Sequence, residues 1–504
     1  MQRLRAVAMC LACSAALVGC IHPMGPNYKR PALVLPDTWR VTPAEATDVT
    51  NTTWWRGFGD QHLNDLIEQA LRANYDLLIA TAHVEAFAGK LESVNSHFFP
   101  QIGAQLGFER DQRSEEVPEI LPPGQPVTYN TYRAFLTASY EFDIWGRVRR
   151  TYEASRAELL STEQARHTVM LTVVSSVAST YIDLLAADRE LEIAEQTRDN
   201  LKAIWDLTDT KYHGGSATDI QVGVAHAEYE DQAAVIPTLK REIALLEDSL
   251  STLLGRNPGP IPRGRLDNLV VMPIPGGIPA NVLTRRPDVL AAEQDLIAAN
   301  AAIGVALTEY FPTFSLTGSY GQSADTTQWM LAKTARTGIF AVDLIGPIYT
   351  FGQVEGDVAR ARAVTKEQAD RYLLTVQTAL KEVNDALVSS QQTRDRLEYL
   401  KRYVSVRQSV ADITKVRYQG GSSTELEVMQ EQQRALNAEN EETDAVRNAD
   451  LALVAVFKAL GGGWMAEVDK TLAPSKNGAG STTPASAQPA KAQPATASKG
   501  VSAP

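Results

Sequence analysis

The chain contains one segment twice, and this duplication limits its possible folds more than any other feature. Lys211-Tyr-His-Gly-Gly-Ser-Ala-Thr218 returns as Arg417-Tyr-Gln-Gly-Gly-Ser-Ser-Thr424, 206 residues further on. Glycines recur at the same offset at positions 146 and 352, 214 and 420, and 255 and 461. Such internal similarity is interpreted first as a structural repeat. Each Gly-Gly pair interrupts a long helical pattern, so we predict two helical hairpins with these pairs at their tips.

Very long helices lead into both tips. Between Gly146 and Gly214 there is neither glycine nor proline, which predicts one helix over 147–212, about 100 Å long at 1.5 Å per residue. Its apolar residues step by four and three, as in a coiled-coil seam, and the second repeat keeps these steps. The residues of this seam are Met170, Val174, Val177, Tyr181 and Leu184. Shorter helices are predicted to return from the tips over 218–254 and 424–460.

Between the helices the apolar period changes to strict alternation. Over 101–109, and over 132–143 with Phe135 as the exception, apolar and polar residues alternate, which predicts a β-hairpin at about 101–143. A second hairpin is predicted at about 313–348. Each strand is about long enough to cross a bilayer within a barrel, with apolar side chains outside and polar ones inside. A soluble hairpin packed on a core has the same pattern, so this alternative stays open.

The first residues resemble a bacterial lipoprotein signal. Arg3 and Arg5 precede an apolar stretch that ends in Leu17-Val18-Gly19-Cys20, where small residues precede a cysteine that is lipidated. We therefore predict a signal peptide over 1–19 and a covalent lipid on Cys20; an ordinary secretory signal is the alternative. The other two cysteines lie inside the removed segment, which leaves no disulfide. After residue 20 no uninterrupted apolar run of about 18 residues follows, so no transmembrane helix is predicted.

The remaining boundaries follow from composition. A Pro-rich, extended leader is predicted over 20–60, and the first repeat over 61–255 begins with a helix over 61–97. Dense prolines mark a linker over 256–279, and the second repeat occupies 280–462. From about residue 475 to 504 the chain is Ala, Pro, Ser, Thr, Gly and Lys with little else, so the C-terminal segment 463–504 is predicted to be a largely disordered tail.

Charge and motifs exclude several classes of function. The net charge is −12, and removal of the two arginines of the signal gives 46 − 60 = −14, which argues against nucleic acid as a partner. The seven histidines are scattered, and none lies at metal-ligand spacing from cysteines or carboxylates. No Gly-x-Ser-x-Gly nucleophile motif is present. We therefore predict no catalytic residues, no metal and no cofactor other than the lipid, and the chain is not expected to be an enzyme.

Four strands cannot close a barrel, and open strand edges cannot face lipid. Long helices with a narrow apolar seam likewise need lateral neighbours. Both problems are solved when several copies of the chain share one barrel. Physical reasoning thus predicts an oligomer without fixing the number of copies.

Several short segments together carry a family resemblance that covers about residues 17–465. They are Met24-Gly-Pro-Asn-Tyr-Lys-Arg-Pro31, Asn51-Thr-Thr-Trp-Trp-Arg-Gly-Phe-Gly-Asp60, Phe98-Phe-Pro100, Arg285-Arg-Pro-Asp288, Tyr310-Phe-Pro312 and the duplicated tips. In this order and spacing they resemble an outer-membrane factor of the OprM/NodT lipoprotein type, which is TolC-like. The resemblance implies an α+β membrane protein, a homotrimer whose 12-stranded β-barrel, four strands per chain, continues as a long α-helical barrel through the periplasm.

The resemblance also implies function and partners. Such a protein is anchored by its lipid in the outer membrane and is the passive exit duct of a tripartite efflux pump for drugs or other small molecules. Its expected partners are a periplasmic adaptor and an inner-membrane pump of the resistance-nodulation-division type. Two alternatives stay open: an exit duct for type I protein secretion, and a lipid-anchored coiled-coil scaffold.

Candidate site residues lie at the tips. In the family, inward carboxylates and a latching tyrosine of the second repeat close the duct, and these positions fall on Glu427, Gln430 and Tyr418, while a latching arginine is replaced by Ser423. A ring of three Glu427 side chains, which would raise one another's pKa and attract cations, is our gate hypothesis; a solvated helix residue is the alternative. The glycines of both tips are expected to adopt positive φ and to dock the adaptor: Gly214, Gly215, Gly420 and Gly421.

Overall fold

The computed structural model describes residues 22–33, 35–36, 39–40, 53–112, 128–270, 272–273, 285–461, 464–465 and 468–469. Residues 1–465 form one unit of the chain and residues 466–504 a second. The predicted signal peptide, Cys20 and the greater part of the predicted tail lie outside the described residues. So do residues 274–284, which include the end of the linker predicted over 256–279, and the loop over 113–127.

Among the described residues, most helices and strands of the first repeat recur in the second, at an offset of 212 up to the first strand and of 206 from the long helix onward. The first repeat contains α1 (Gln61–Ala73), α2 (Tyr75–Ser96), β1 (Gln101–Gln112), β2 (Thr128–Phe142), α3 (Arg147–His213) and α4 (Asp219–Leu253). The second contains α5 (Pro287–Thr308), β3 (Thr313–Ala324), β4 (Arg336–Ile345), α6 (Gln353–Gln419) and α7 (Glu425–Leu460). Helices α3 and α6 have 67 residues each, 206 apart, and α2 and α5 have 22 each, 212 apart. The predicted long helices and the four strands are thus present.

The prediction of a single helix over 61–97 is wrong, because the chain breaks at Asn74. This residue has extended backbone angles (φ −64°, ψ 127°), and its side-chain oxygen accepts the Leu77 N–H at 3.1 Å. Its amide nitrogen donates to the Leu253 carbonyl oxygen at 2.9 Å. Asn74 therefore ends α1, caps α2 and ties both to the end of α4. No glycine or proline marks the break, so the sequence pattern did not reveal it.

Two helices pass the length and composition test for a membrane span. Windows of 18 residues in α3 and α5 reach mean hydropathies of 1.6 and 1.3. The sequence-based search counted only uninterrupted apolar runs and missed them. Within the molecule 67% of the α3 window is buried, and 44% of the α5 window, whose helix buries ten residues in all. We therefore assign both helices to the helical core of the chain.

The four strands form one antiparallel sheet in the order β1-β2-β3-β4, so that β2 and β3 join the two repeats. The two hairpins have the same register: Gln101 lies opposite Ser139, and Thr313 opposite Ile345. Apolar side chains share one face of the sheet, and this face is exposed: Leu106 is 84% and Leu136 63% accessible. A hairpin packed on the chain's own core is excluded by these exposures.

The leader residues bind to helices of both repeats. The Arg150 guanidinium of α3 donates to the Met24 and Gly25 carbonyl oxygens at 2.9 and 3.1 Å. The Glu293 carboxylate of α5 accepts the Tyr28 hydroxyl at 2.9 Å and Arg30 Nε at 2.7 Å. Both anchoring side chains are buried. The leader is therefore fixed to the first turn of α3 at Met24 and Gly25, and to α5 at Tyr28 and Arg30.

Candidate functional site

Each tip is built by backbone hydrogen bonds that end a long helix. At the second tip Gly420 N–H donates to the Val416 carbonyl at 3.1 Å, and Gly421 N–H donates to the Tyr418 carbonyl at 2.9 Å. Gly421 has φ +74°, and its counterpart Gly215 has the same value. In this left-handed region glycine is strongly favoured. The prediction that these tips need glycine is confirmed for these two residues.

For the first glycine of each pair, the prediction of positive φ is wrong. Gly214 and Gly420 have φ of −82° and −83° with ψ near 0°, which other residues also adopt. A Cβ added to Gly420 would lie 3.6 Å from the Arg417 carbonyl oxygen, an ordinary contact. The turn therefore requires only Gly215 and Gly421. The duplicated sequence could not separate the two roles, because both glycines recur.

The short helix that leaves each tip begins with a reciprocal pair of hydrogen bonds. Glu427 N–H donates to Thr424 Oγ1 at 3.2 Å, and Thr424 N–H donates to Glu427 Oε2 at 2.9 Å. At the first tip Thr218 and Gln221 form the same pair. This capping box satisfies two backbone donors that a helix start leaves open. The Thr-x-x-Glu and Thr-x-x-Gln spacings carry this signal, and the sequence analysis did not use it.

The carboxylate of Glu427 is bound within its own chain. The Ser423 hydroxyl also donates to it, from the position where the family has its arginine. Hydrogen bonds from the Ser423 side chain and the Thr424 backbone lower the pKa of Glu427. The carboxylate is exposed at the tip and keeps its charge until the pH falls below the ordinary glutamate range. A raised pKa, as in the gate hypothesis, would need the approach of the same residue from other copies.

The other two gate candidates lie near Glu427. Tyr418 is in the last turn of α6, half-exposed, and its carbonyl oxygen accepts the Gly421 N–H. Gln430 is exposed on α7, three residues after Glu427. The tip thus places all three candidates within a few residues of one turn.

Contacts between α3 and α7 hold the second hairpin against the first above the tip. The Asn200 side-chain amide donates to the Met429 carbonyl oxygen and to Gln433 Oε1, both at 3.1 Å. Further along, Arg189 of α3 pairs with Glu439 of α7 at 3.2 Å. Sequence reasoning missed these residues, because an asparagine inside a long helix has no motif. Any movement of α7 away from α3 at this level must break these bonds.

We predict that Glu427→Gln removes the negative charge of residue 427 without removing the helix cap. Gln221 already forms this box at the first tip, so glutamine fits the geometry. If Glu427 lines a gate, single-channel recording of the variant is expected to show reduced selectivity for cations, because a fixed negative charge attracts them.

The matched control for this prediction is Gln221→Glu, which adds a carboxylate at the first tip. It leaves Glu427 in place and therefore retains cation selectivity. Unchanged conductance and ion selectivity in Glu427→Gln would show that Glu427 acts only as a helix cap.

Comparison with known proteins places most of the chain in one family. Residues 66–256 and 278–462 match the profile of the family described as outer membrane efflux protein. These two ranges coincide closely with the two structural repeats. Within the ranges given for the fold, no group of three or more His, Cys, Asp or Glu could hold a metal ion.

Individual relatives cover nearly the whole chain. It is 29% identical over 443 residues to the pyoverdine export outer membrane protein OpmQ of Pseudomonas aeruginosa, covering 86% of this chain and 92% of the relative. It is 27% identical over 455 residues to the cation efflux system protein CusC of Escherichia coli, covering 89% and 97%. Its structure matches the open state of the Neisseria gonorrhoeae MtrE outer membrane channel with a TM-score of 0.79, at 26% identity, covering 88% and 99%.

Proposed function

The chain belongs to the outer membrane efflux protein family and is the outer-membrane exit duct of an efflux system, and we propose that three copies build this duct. Their sheets close a 12-stranded barrel in the outer membrane, four strands from each chain. The long helices continue this barrel through the periplasm. Small molecules pass through the duct without chemical change.

The observation that carries this proposal is the exposed apolar face of the sheet. Side chains on it include Ile102, Leu106, Leu136, Val342 and Leu344, and all are exposed in the single chain. The opposite face carries polar residues and an ion pair between Arg133 and Glu109 at 2.8 Å. In a closed barrel the apolar face contacts lipid and the polar face lines a water-filled lumen. Closure with neighbouring copies also pairs the open edges of β1 and β4. A coiled-coil scaffold would not require a sheet with one exposed apolar face.

The helices and tips support the periplasmic part of the proposal. Helices α3 and α6, of 67 residues each, are about 100 Å long at 1.5 Å per residue. This length suits a tube that reaches a partner in the inner membrane. We propose that the periplasmic adaptor docks on the backbone exposed at the tips, around Gly214 and Gly420, and that a pump of the resistance-nodulation-division type supplies the energy.

For cargo we propose drugs or other small solutes. The relatives with comparable identity are named for different cargoes, pyoverdine for OpmQ and cations for CusC. A wide, water-filled duct tolerates such differences, and selection then takes place at the pump.

The lipid on Cys20 remains a proposal, supported by the sequence before it and by the fixed leader after it. We predict that Cys20→Ala abolishes incorporation of labelled palmitate. Two acyl chains hold a lipoprotein on a membrane, but the strands supply a second attachment, so assembled trimers of the variant still fractionate with the outer membrane. Palmitate labelling of the variant at the wild-type level would contradict lipidation at this residue.

The assembly is tested on the purified chain in detergent. Light scattering is expected to give the mass of three chains, and circular dichroism to show strand signal that survives in sodium dodecyl sulfate together with the trimer. In planar bilayers the trimer is expected to conduct ions. A monomer without conductance would overturn the proposal.

A further inference from the structure

The two repeats of one chain meet along a seam made of three contacts. Strand β2 pairs with β3, α3 packs on α5, and α3 packs on α7. If neighbouring copies in a closed ring meet as the two repeats of one chain do, the same three contacts form between the second repeat of one copy and the first repeat of the next. These are β4 with β1, α6 with α2, and α6 with α4. The inner seam is therefore a template for the seam between copies.

The strand register follows from the template by arithmetic. Ser139 lies opposite Thr317 within the chain. Adding 206 to a residue number in β2 gives the equivalent residue in β4, and adding 212 to one in β1 gives the equivalent in β3; these offsets reproduce the register of both hairpins. The equivalent of Ser139 is therefore Ile345 (139 + 206), and the equivalent of Thr317 is Gln105 (317 − 212). Between copies, Ile345 then lies opposite Gln105 of the next copy. The neighbouring pair is then Leu344 with Leu106, both on the exposed apolar face, so the register keeps that face continuous.

An aromatic contact of the inner seam has two exposed counterparts. Trp145 stacks on Phe311 with ring centres 4.5 Å apart, and its indole N–H donates to the Pro312 carbonyl at 2.8 Å. At the same offsets Phe351 is the counterpart of Trp145, and Phe99 is the counterpart of Phe311. Phe351 is 88% and Phe99 62% exposed. Phe351 is the one described residue other than glycine with positive φ (51°), whereas Trp145 lacks this strain. The docked and the undocked member of the pair thus differ in backbone conformation.

The helices show the same asymmetry. Helix α5 buries ten residues against α3, α6 and the leader, whereas its counterpart α2 buries only Leu77. Near the tips Ile204 of α3 is buried in a cluster that includes Leu426 of α7. Their counterparts, Val410 of α6 and Ile220 of α4, are exposed, Ile220 by 74%. The surfaces that would form the contacts of β4 with β1, of α6 with α2 and of α6 with α4 are therefore apolar and exposed in the single chain.

We infer that each chain binds the next copy through this repeat-templated seam, with Phe351 stacked on Phe99 of the next copy and Ile345 opposite its Gln105. The occupant is a second copy of this chain, because the inner seam already shows the complementary surface. The inference rests on the proposed assembly and adds its register and its aromatic contact. The leader distinguishes the two seams: Pro23 lies against Gly146, while around Gly352 there is open space.

Paired cysteines test the register in the full-length chain. Gln105→Cys with Ile345→Cys is expected to give disulfide-linked dimers and trimers after mild oxidation, because facing residues of a sheet meet disulfide geometry. The samples are run on non-reducing gels after heating that dissociates the non-covalent trimer. The matched pair Ser139→Cys with Thr317→Cys has the same geometry inside one chain, and its disulfide leaves the chain monomeric on the gel. Two bracketing pairs, Gly103→Cys with Ile345→Cys and Gly107→Cys with Ile345→Cys, test registers shifted by two residues in either direction.

The outcomes separate this inference from the proposed assembly. Several-fold stronger cross-linking of the 105–345 pair than of both bracketing pairs supports the register. A bracketing pair that cross-links best, in a chain that is still trimeric by light scattering, overturns the register and leaves the trimer intact. A chain that is monomeric by light scattering and forms no interchain disulfide with any pair overturns both.

The aromatic contact is tested by the heat needed to dissociate the trimer. Phe351→Ala and Phe99→Ala are each expected to lower that temperature by several degrees, and the double variant by no more than either single variant, because the two rings share one contact. Trp329→Ala, an exposed aromatic in the connection between β3 and β4, is the control and is expected to have no effect. Additive effects of the two single variants would contradict a Phe351–Phe99 contact.

Discussion

Cells that carry Gly420→Leu are expected to assemble the trimer in the outer membrane and yet to export almost no drug. The turn itself tolerates this change, since Gly420 has an ordinary negative φ and a Cβ there meets only the Arg417 and Val416 carbonyl oxygens at contact distance. A bulky side chain at the tip, however, covers backbone that the adaptor is proposed to bind. Loss of such a central contact, about 2 kcal/mol, weakens binding about thirtyfold.

Two control variants separate docking from folding of the tip. Gly420→Ala adds only a methyl group and is expected to retain most of the export. Gly421→Leu forces a branched side chain into the left-handed region at φ +74° and is expected to disturb the turn itself. Export by Gly420→Leu at the wild-type level, measured as drug susceptibility together with adaptor co-purification, would show that the adaptor binds elsewhere.

Leu136→Arg is expected to prevent assembly of the trimer in the outer membrane. In the single chain Leu136 is already exposed, so a purely water-soluble sheet would accept an arginine there at little cost. In the proposed barrel the side chain faces lipid near the middle of β2, where an arginine costs about 2–4 kcal/mol per chain. Three copies of the change fall in one trimer, which multiplies the effect.

The control for this prediction is the next residue along the strand. Thr137→Arg places the same charge on the opposite, polar face and is expected to leave trimer formation intact, because that face lines water in the proposed duct. The measurement is the amount of heat-resistant trimer in the outer-membrane fraction. Equal amounts of trimer from both variants would show that the apolar face does not contact lipid.

The main elements of this fold could be predicted from the sequence because their signals are local and duplicated. The absence of glycine and proline between Gly146 and Gly214 marks a helix that the structure continues from Arg147 to His213. The alternation in β1 and β2 likewise marks strands of the right length. The break at Asn74 could not be predicted from the local sequence, because it depends on a hydrogen bond to Leu253, which lies 179 residues further along the chain.

The candidate site was predictable in position but not in detail. The duplicated Gly-Gly pairs locate the tips, yet only backbone angles show that Gly421 makes the turn and that Gly420 is free for another role. The Thr424-x-x-Glu427 spacing contains the helix cap that the sequence analysis overlooked. Contacts such as Asn200 with Met429 join helices that are distant in sequence, and no local pattern encodes them.

The same distinction applies to the seam between the repeats. The register of β2 with β3 and the stack of Trp145 on Phe311 follow from packing of residues more than 160 positions apart. Once that packing is known, however, the duplication makes it transferable. Sequence offsets then convert one observed seam into a specific expectation for its counterpart between copies.

Drug susceptibility shows whether this chain works in the cell as the outer-membrane exit duct of an efflux system. The measurement compares a strain that lacks this gene and the other ducts of its family with the same strain carrying the gene on a plasmid. The panel contains dissimilar apolar drugs and several divalent metals. The plasmid is expected to raise resistance to at least one class of compound, and the plasmid with Gly420→Leu is not. Identical susceptibility with and without the gene across the whole panel would show that the chain is not such a duct.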